Sequence, residues 1–175
     1  NYKSFDNVLN PTRGMAFLLN VGGKTEFEET NNTYGYIDSE LGFFNALSKN
    51  KKLVLKTDVR SQFRFGDNLI FYQAANIGGN NGLRGYRTER FTGKNALTAS
   101  ADIRYSFPAF KTSVLPLQFG VFGGADVGRV WLEFGPSKKW HNDYGGGFWI
   151  TAAETLSGTF HLFHGDEGFR LSFGF

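Results

Sequence analysis

The sequence predicts an all-β protein, an antiparallel transmembrane β-barrel with eight strands in this chain. Three observations carry that prediction. The first is a pairing of high aromatic and glycine content, 20 Phe, 7 Tyr, 3 Trp and 23 Gly in 175 residues, with a mean hydropathy of −0.31. These fit together when apolar residues alternate with polar ones, because each strand then has one apolar face while every window stays polar on average. The second is that no run approaches the ~20 apolar residues of a membrane helix. The third is that the alternating segments are roughly nine to sixteen residues long, at or above the ~9–11 that cross a bilayer at a tilt. Strands of a soluble sandwich, which also alternate, are typically only ~5–6 residues.

Each element follows from its parity. From Gly14 to Gly22, Met15, Phe17, Leu19 and Val21 share one face, against Ala16 and Asn20. Residues 34–46 set Ile37, Leu41 and Phe43 opposite Asp38 and Glu40. Residues 53–65 give the plainest pattern, with Leu53, Leu55, Val59, Phe63 and Phe65 on one side and Lys56, Asp58, Arg60, Gln62 and Arg64 on the other. That charged face cannot meet lipid. Residues 96–107 place Leu97, Ala99, Ala101, Ile103, Tyr105 and Phe107 outward, against Thr98, Ser100, Asp102, Arg104 and Ser106. Residues 115–131 repeat the pattern, with Leu117, Phe119, Val121, Ala125 and Val127 opposite Gln118, Gly120, Phe122, Gly124, Asp126 and Gly128. Residues 141–153 form a strand diluted by Gly145-Gly146-Gly147. Residues 156–163 and 168–175 complete the series.

Residues 1–175 read as a single domain. The connections near Ser48-Lys49-Asn50, from Pro108 to Val114 and at Glu154-Thr155 are short, and those after the first, third and fifth strands are longer. The longest runs from Gly66 to Asn95, and only the Gly165-Asp166 hairpin is short on the same side. If the short turns are periplasmic, both termini are periplasmic and the long loop is extracellular. The opening Asn1-Tyr2-Lys3-Ser4 carries no basic-then-apolar leader, which reads as a mature protein or a fragment. The absence of cysteine excludes a disulfide scaffold and Cys-based metal sites. A net charge of +3, from Lys and Arg scattered among acids, does not point to nucleic acid.

The long loop contains Gly78-Gly79-Asn80-Asn81-Gly82-Leu83-Arg84-Gly85-Tyr86. It lacks the Lys-Ser/Thr ending and following helix of a phosphate loop. Parity puts Asp102 and Asp126 on the inner face, where Arg84 is the obvious cation to fold in and bind both, since an arginine fork on carboxylates is the strongest side-chain pairing available. Gly85 is expected to let the backbone turn at the tip, and Tyr86 to pack there. Two other arrangements stay open: Arg84 as a solvated loop arginine, and neutralisation of the aspartates by the inward Arg60, Arg64, Arg104 or Arg170.

These residues carry a family resemblance. Leu83-Arg84-Gly85-Tyr86 resembles the Arg-Gly-aromatic signature in the sixth barrel loop of the outer-membrane protein assembly superfamily, the bacterial surface antigen group of BamA, TamA, the two-partner secretion transporters and the chloroplast import barrel. Asp102 in Ser100-Ala101-Asp102-Ile103-Arg104 resembles that family's inward acid on the following strand. Phe122-Gly123-Gly124-Ala125-Asp126-Val127-Gly128 resembles its aromatic-x-x-x-Asp-x-Gly pattern, which brings in Gly128. Phe169, Leu171, Phe173 and Phe175 resemble the C-terminal signal by which outer-membrane strands are recognised for insertion. Support is weak before about Lys52. The resemblance implies a bacterial outer-membrane location and sixteen-stranded barrels preceded by periplasmic domains, of which this chain corresponds to the C-terminal half. Because the strand number is even and both ends look finished, a closed eight-stranded barrel is expected, with an interior just filled by side chains. Two chains combining, or a partner or a missing N-terminal segment adding strands, are the other ways to complete the wall.

The implied function is a membrane-embedded component or anchor in outer-membrane protein insertion. Its expected partners are outer-membrane lipid and lipopolysaccharide, client outer-membrane proteins, and a homodimer or larger membrane complex. Neither a cofactor nor a metal is expected. A second reading is half of a composite translocation barrel. A third is an outer-membrane enzyme acting on lipid A through His161, His164, Asp166 and Ser157. Against that third reading, Ser157 and His161 are four residues, or ~13 Å, apart along a strand, beyond the reach of a base to its nucleophile. His141 and Asp143 read as rim residues. Tyr34, Tyr36, Tyr105, Trp131, Trp140, Tyr144 and Trp149 read as interfacial girdles, and the Asn31-Asn32-Thr33 sequon reads as accidental.

Overall fold

The computed structural model describes residues 1–25, 33–66, 70–111, 115–132, 139–153 and 156–174. In chain order its strands are β1 (Tyr2–Phe5), β2 (Gly14–Thr25), β3 (Thr33–Ala46), β4 (Leu53–Phe65), β5 (Ala75–Ile77), β6 (Phe91–Gly93), β7 (Asn95–Ser106), β8 (Phe110–Lys111), β9 (Pro116–Trp131), β10 (His141–Ala152), β11 (Leu156–Gly165) and β12 (Gly168–Gly174). Ten of them make one antiparallel sheet in the order β1-β2-β3-β4-β7-β9-β10-β11-β12, with β8 beside β9, and β5 and β6 pair separately inside the long loop. No helix is long and apolar enough to cross a membrane.

Two expectations are corrected. The strand count is not eight, because four short strands accompany the long ones. Elements of two to four residues carry no readable period. The closed eight-stranded barrel is also not formed: the sheet is open, and among the described residues no ladder joins β12 to β1 or β2. The reasons are steric. Tyr2–Phe5 already occupies the edge of β2 from Gly14 to Phe17, and an eight-stranded interior has no room for the loop after β4.

Alternation sorts the side chains into two environments. On the outer face Leu19, Val21, Phe63, Ile103, Val121, Phe148 and Leu162 are exposed, a contiguous apolar surface of the kind that lipid covers. On the inner face Arg64 pairs with Asp38, Arg60 with Glu40, and Lys56 with Asp58. These partners leave Arg60 and Arg64 unavailable to Asp102 and Asp126. Trp149, expected in a girdle, faces inward and is buried, because Phe148 and Ile150 take the outer face of β10. The packed core lies between loop and sheet, where Ala75, Ile77, Leu83 and Tyr86 meet Ala96 and Val130.

The turn between β1 and β2 is clasped by Asp6, which accepts from the Thr12 and Arg13 amides at 2.8 and 3.0 Å and also binds the Thr12 hydroxyl and Lys51. Burial alone would raise the Asp6 carboxyl, but these donors outweigh it and hold it well below the ordinary carboxylate value. A depressed carboxyl contributes its stability above the ordinary pKa and loses it as pH falls through the depressed one, so the clasp is complete at neutral pH. Asp6→Asn is expected to speed hydrogen exchange at the Thr12 and Arg13 amides about fivefold, corresponding to roughly 1 kcal/mol. Unchanged exchange would remove the clasp.

Candidate functional site

The connection between β4 and β7 folds onto the inner face of the sheet. Glycines at positive φ make its path: Gly78, Gly79 and Gly82 have φ of 127°, 61° and 105°. The base of the loop is tied to β4, where Arg60 donates to the Asn80 carbonyl, Gln62 to Asn76 and Arg64 to Gln73, at 2.9, 2.9 and 3.0 Å. A tight turn, with the Gly79 amide donating to the Leu83 carbonyl at 2.7 Å, then presents Arg84.

Arg84 reaches both expected acids. Nη1 and Nη2 donate to Asp102 at 3.1 and 2.6 Å, and Nε and Nη2 donate to Asp126 at 2.9 and 2.6 Å. The Arg84 amide adds a bond to Asp126 Oδ2 at 3.0 Å. The guanidinium lies 4.0 Å from the ring centroid of buried Phe163, with Phe122 at 5.9 Å. Asp102 and Asp126 are only 6% and 2% exposed, so each needs this cation. Burial opposes the charge on Arg84, but the two aspartates more than offset it and raise its pKa.

Gly85 is placed at the tip as expected, for a different reason. Its φ is not positive, so it is not needed for the turn. A Cβ there would stand 2.7 Å from Cβ of Asp143 and 3.0 Å from the Gly165 amide nitrogen, so the position requires glycine for close approach. Its amide donates to Asp143 Oδ2 at 2.9 Å. Tyr86 is 1% exposed; its hydroxyl donates to the Asn142 carbonyl at 3.1 Å and accepts from the Asp166 amide at 3.2 Å. Burial raises its pKa. Gly128 leaves space for the loop, since a Cβ there would lie 3.1 Å from Ile77 Cδ1 and 2.9 Å from Thr98 Cγ2.

Asp143 is the residue that sequence reasoning misplaced. It is not at the rim but 2% exposed, directly across the ladder from Asp126, which gives the loop tip a third acid. Strict alternation back from Trp149 through the three glycines would have placed it inward. His141 stacks on Phe91 at 3.6 Å. Ser157 accepts from Thr151 at 3.4 Å, and His161 lies against Phe122 and Phe163; the two are not brought together. Phe169, Leu171 and Phe173 project from the outer face of β12 at 75%, 72% and 69% exposure. Phe175, Glu154-Thr155, Asn31-Asn32 and residues 112–114 lie outside the described residues.

An alternating sheet with an apolar outer face, an ion-paired inner face and an inward-folded arginine loop defines a transmembrane β-barrel wall. The model of the Omp85 superfamily domain matches residues 1–174, and the chain belongs to that superfamily. Its location is the bacterial outer membrane. Among solved structures, BamA from Haemophilus ducreyi lacking POTRA domains 1–3 matches with a TM-score of 0.72 at 17% identity, over 99% of this chain and 41% of that one. The chain thus spans less than half the length of that BamA chain. No curated protein matches it.

Proposed function

We propose that residues 1–175 act as one outer-membrane β-barrel domain, a membrane-embedded component or anchor in the insertion of outer-membrane proteins. The observation that carries this reading is the combination of a loop locked by Arg84, Asp102, Asp126 and Asp143 with a sheet in which, among the described residues, no ladder joins the first strands to the last. Unpaired strand edges take up further strands readily, and the locked loop keeps the inner face in shape while they do. The chemistry is read as non-covalent: Arg84 binds Asp102 and Asp126, and Ser157 accepts its hydrogen bond from Thr151. Phe169, Leu171 and Phe173 would serve as the signal for the chain's own insertion, and the outer apolar face would meet lipid and lipopolysaccharide.

Half of a composite barrel is the second reading, favoured by the open edges and by the 41% share of the BamA chain that is matched. Both readings are tested by reconstituting the protein in liposomes and following the folding of an unfolded eight-stranded client barrel. An increase in insertion rate of about tenfold over lipid alone, equivalent to ~1.4 kcal/mol of barrier, is expected. A rate equal to that of lipid alone would leave only an anchoring role.

A further inference from the structure

Below the Arg84 latch, the inner face of the sheet gathers hydrogen-bond donors that its own acceptors do not satisfy. Arg104 points inward, because Ile103 and Tyr105 on either side of it are exposed, and its guanidinium lies 5.6 Å from the ring centroid of Trp149. Among the described residues Arg104 makes no ion pair, and its one side-chain hydrogen bond is long, 3.4 Å to the neutral amide of Asn10. Trp149 is 3% exposed, and its indole Nε1 is buried without an acceptor. Glycine makes room for that ring: a Cβ at Gly120, across the ladder from Trp149, would stand 2.5 Å from it. A guanidinium at membrane depth without a counter-ion is costly, and so is a buried N–H without an acceptor.

Both groups share the wall of a cavity of about 230 Å³. Lys56 enters it from β4 and Thr159 from β11, the latter directly across the ladder from Trp149. The Lys56 ammonium holds Asp58 at 2.8 Å and has further N–H donors to give. The one carboxylate in the wall, Asp102, has both oxygens engaged by Arg84, which offsets its charge. Donors on β4, β7, β10 and β11 therefore converge from four strands, which suits the tetrahedral oxygens of a phosphate better than the two coplanar oxygens of a carboxylate. The guanidinium fork adds a bidentate contact. We infer that this cavity is an oxyanion site for a phosphate group, held chiefly by Arg104, with Trp149 Nε1, Thr159 and Lys56 as the other donors. Its volume leaves room for a substituent, so inorganic phosphate and the phosphate monoester of a lipid headgroup share the chemistry. The site stands whether or not the protein inserts clients.

Trp149 is itself the reporter. The chain has three tryptophans, and Trp131 and Trp140 lie outside the cavity wall, so Trp131→Phe with Trp140→Phe leaves Trp149 as the only emitter. The full chain with these two changes is folded in phosphate-free detergent micelles and titrated with inorganic phosphate at constant ionic strength. A saturable change in Trp149 emission is expected. Arg104→Gln is expected to raise the half-saturating concentration about tenfold, and Thr159→Val about threefold. Heat modifiability on gels checks that each variant folds, and Thr159→Val, which leaves every charge in place, carries the test if Arg104→Gln does not fold. A parallel titration with dihexanoyl phosphatidate, against dihexanoyl phosphatidylcholine, separates the sources. Saturation by phosphatidate at least about tenfold below inorganic phosphate assigns the site to a lipid headgroup, and otherwise to the free anion. The inference is overturned by no saturable response to either phosphate, by a response that chloride reproduces, or by one that the folded variants leave unchanged.

Discussion

Arg84→Ala is expected to lower the resistance of the protein to heat in detergent more than any other single substitution in the loop. The change leaves Asp102 and Asp126 buried without a cation. Breaking a buried pair from one side costs about 3–5 kcal/mol, and at about 2–4 °C per kcal/mol the melting midpoint should fall on the order of 10 °C. Arg84→Lys should recover only part of this, because an ammonium cannot span two carboxylates as the fork does. Combining Arg84→Ala with Asp126→Ala should cost less than the sum of the two, since the second change removes a charge that the first left unpaired. An unchanged midpoint for Arg84→Ala, measured by heat modifiability on gels and by circular dichroism, would rule out a loop held by this arginine.

Gly85→Ala is the sharper test of why glycine stands there. If Gly85 served the turn, alanine would be harmless at its ordinary φ. The contact at 2.7 Å to Asp143 instead requires the loop tip to lift, with loss of the amide bond to that carboxylate. Overpacking of this kind costs about 1–3 kcal/mol, and the loop should become cleavable by protease under conditions where the unaltered loop resists. Gly85→Ala with the original protease resistance would mean that the close approach to Asp143 does not constrain the tip.

The sequence was legible where alternation was strict and chemistry was paired. Residues 53–65 announce a strand with one charged face, and β4 has those bounds. The parity of Asp102 and Asp126 put both acids on the inner face, where Arg84 was the expected cation and the structure has it. What was lost lay where a period cannot register. β1, β5, β6 and β8 are too short to alternate, and closure of a sheet depends on which edge is already occupied, as Tyr2–Phe5 occupies β2. Asp143 was missed because Gly145-Gly146-Gly147 carries no side chain to mark a face. Trp149 was misread because tryptophan fits an interfacial belt by type, while only register shows that it points inward.

The loop grips the sheet at widely separated places. Its base is bound to β4, its tip to β7, β9 and β10, and beyond the tip Tyr86 and Arg90 reach Asp166 and Glu167 in the turn between β11 and β12. It therefore works as a tie rod across the inside of a curved shell. A shell that owes its radius to a closed rim flattens when the rim is cut. One braced from within holds its curvature through the bracing itself, whatever joins its rim.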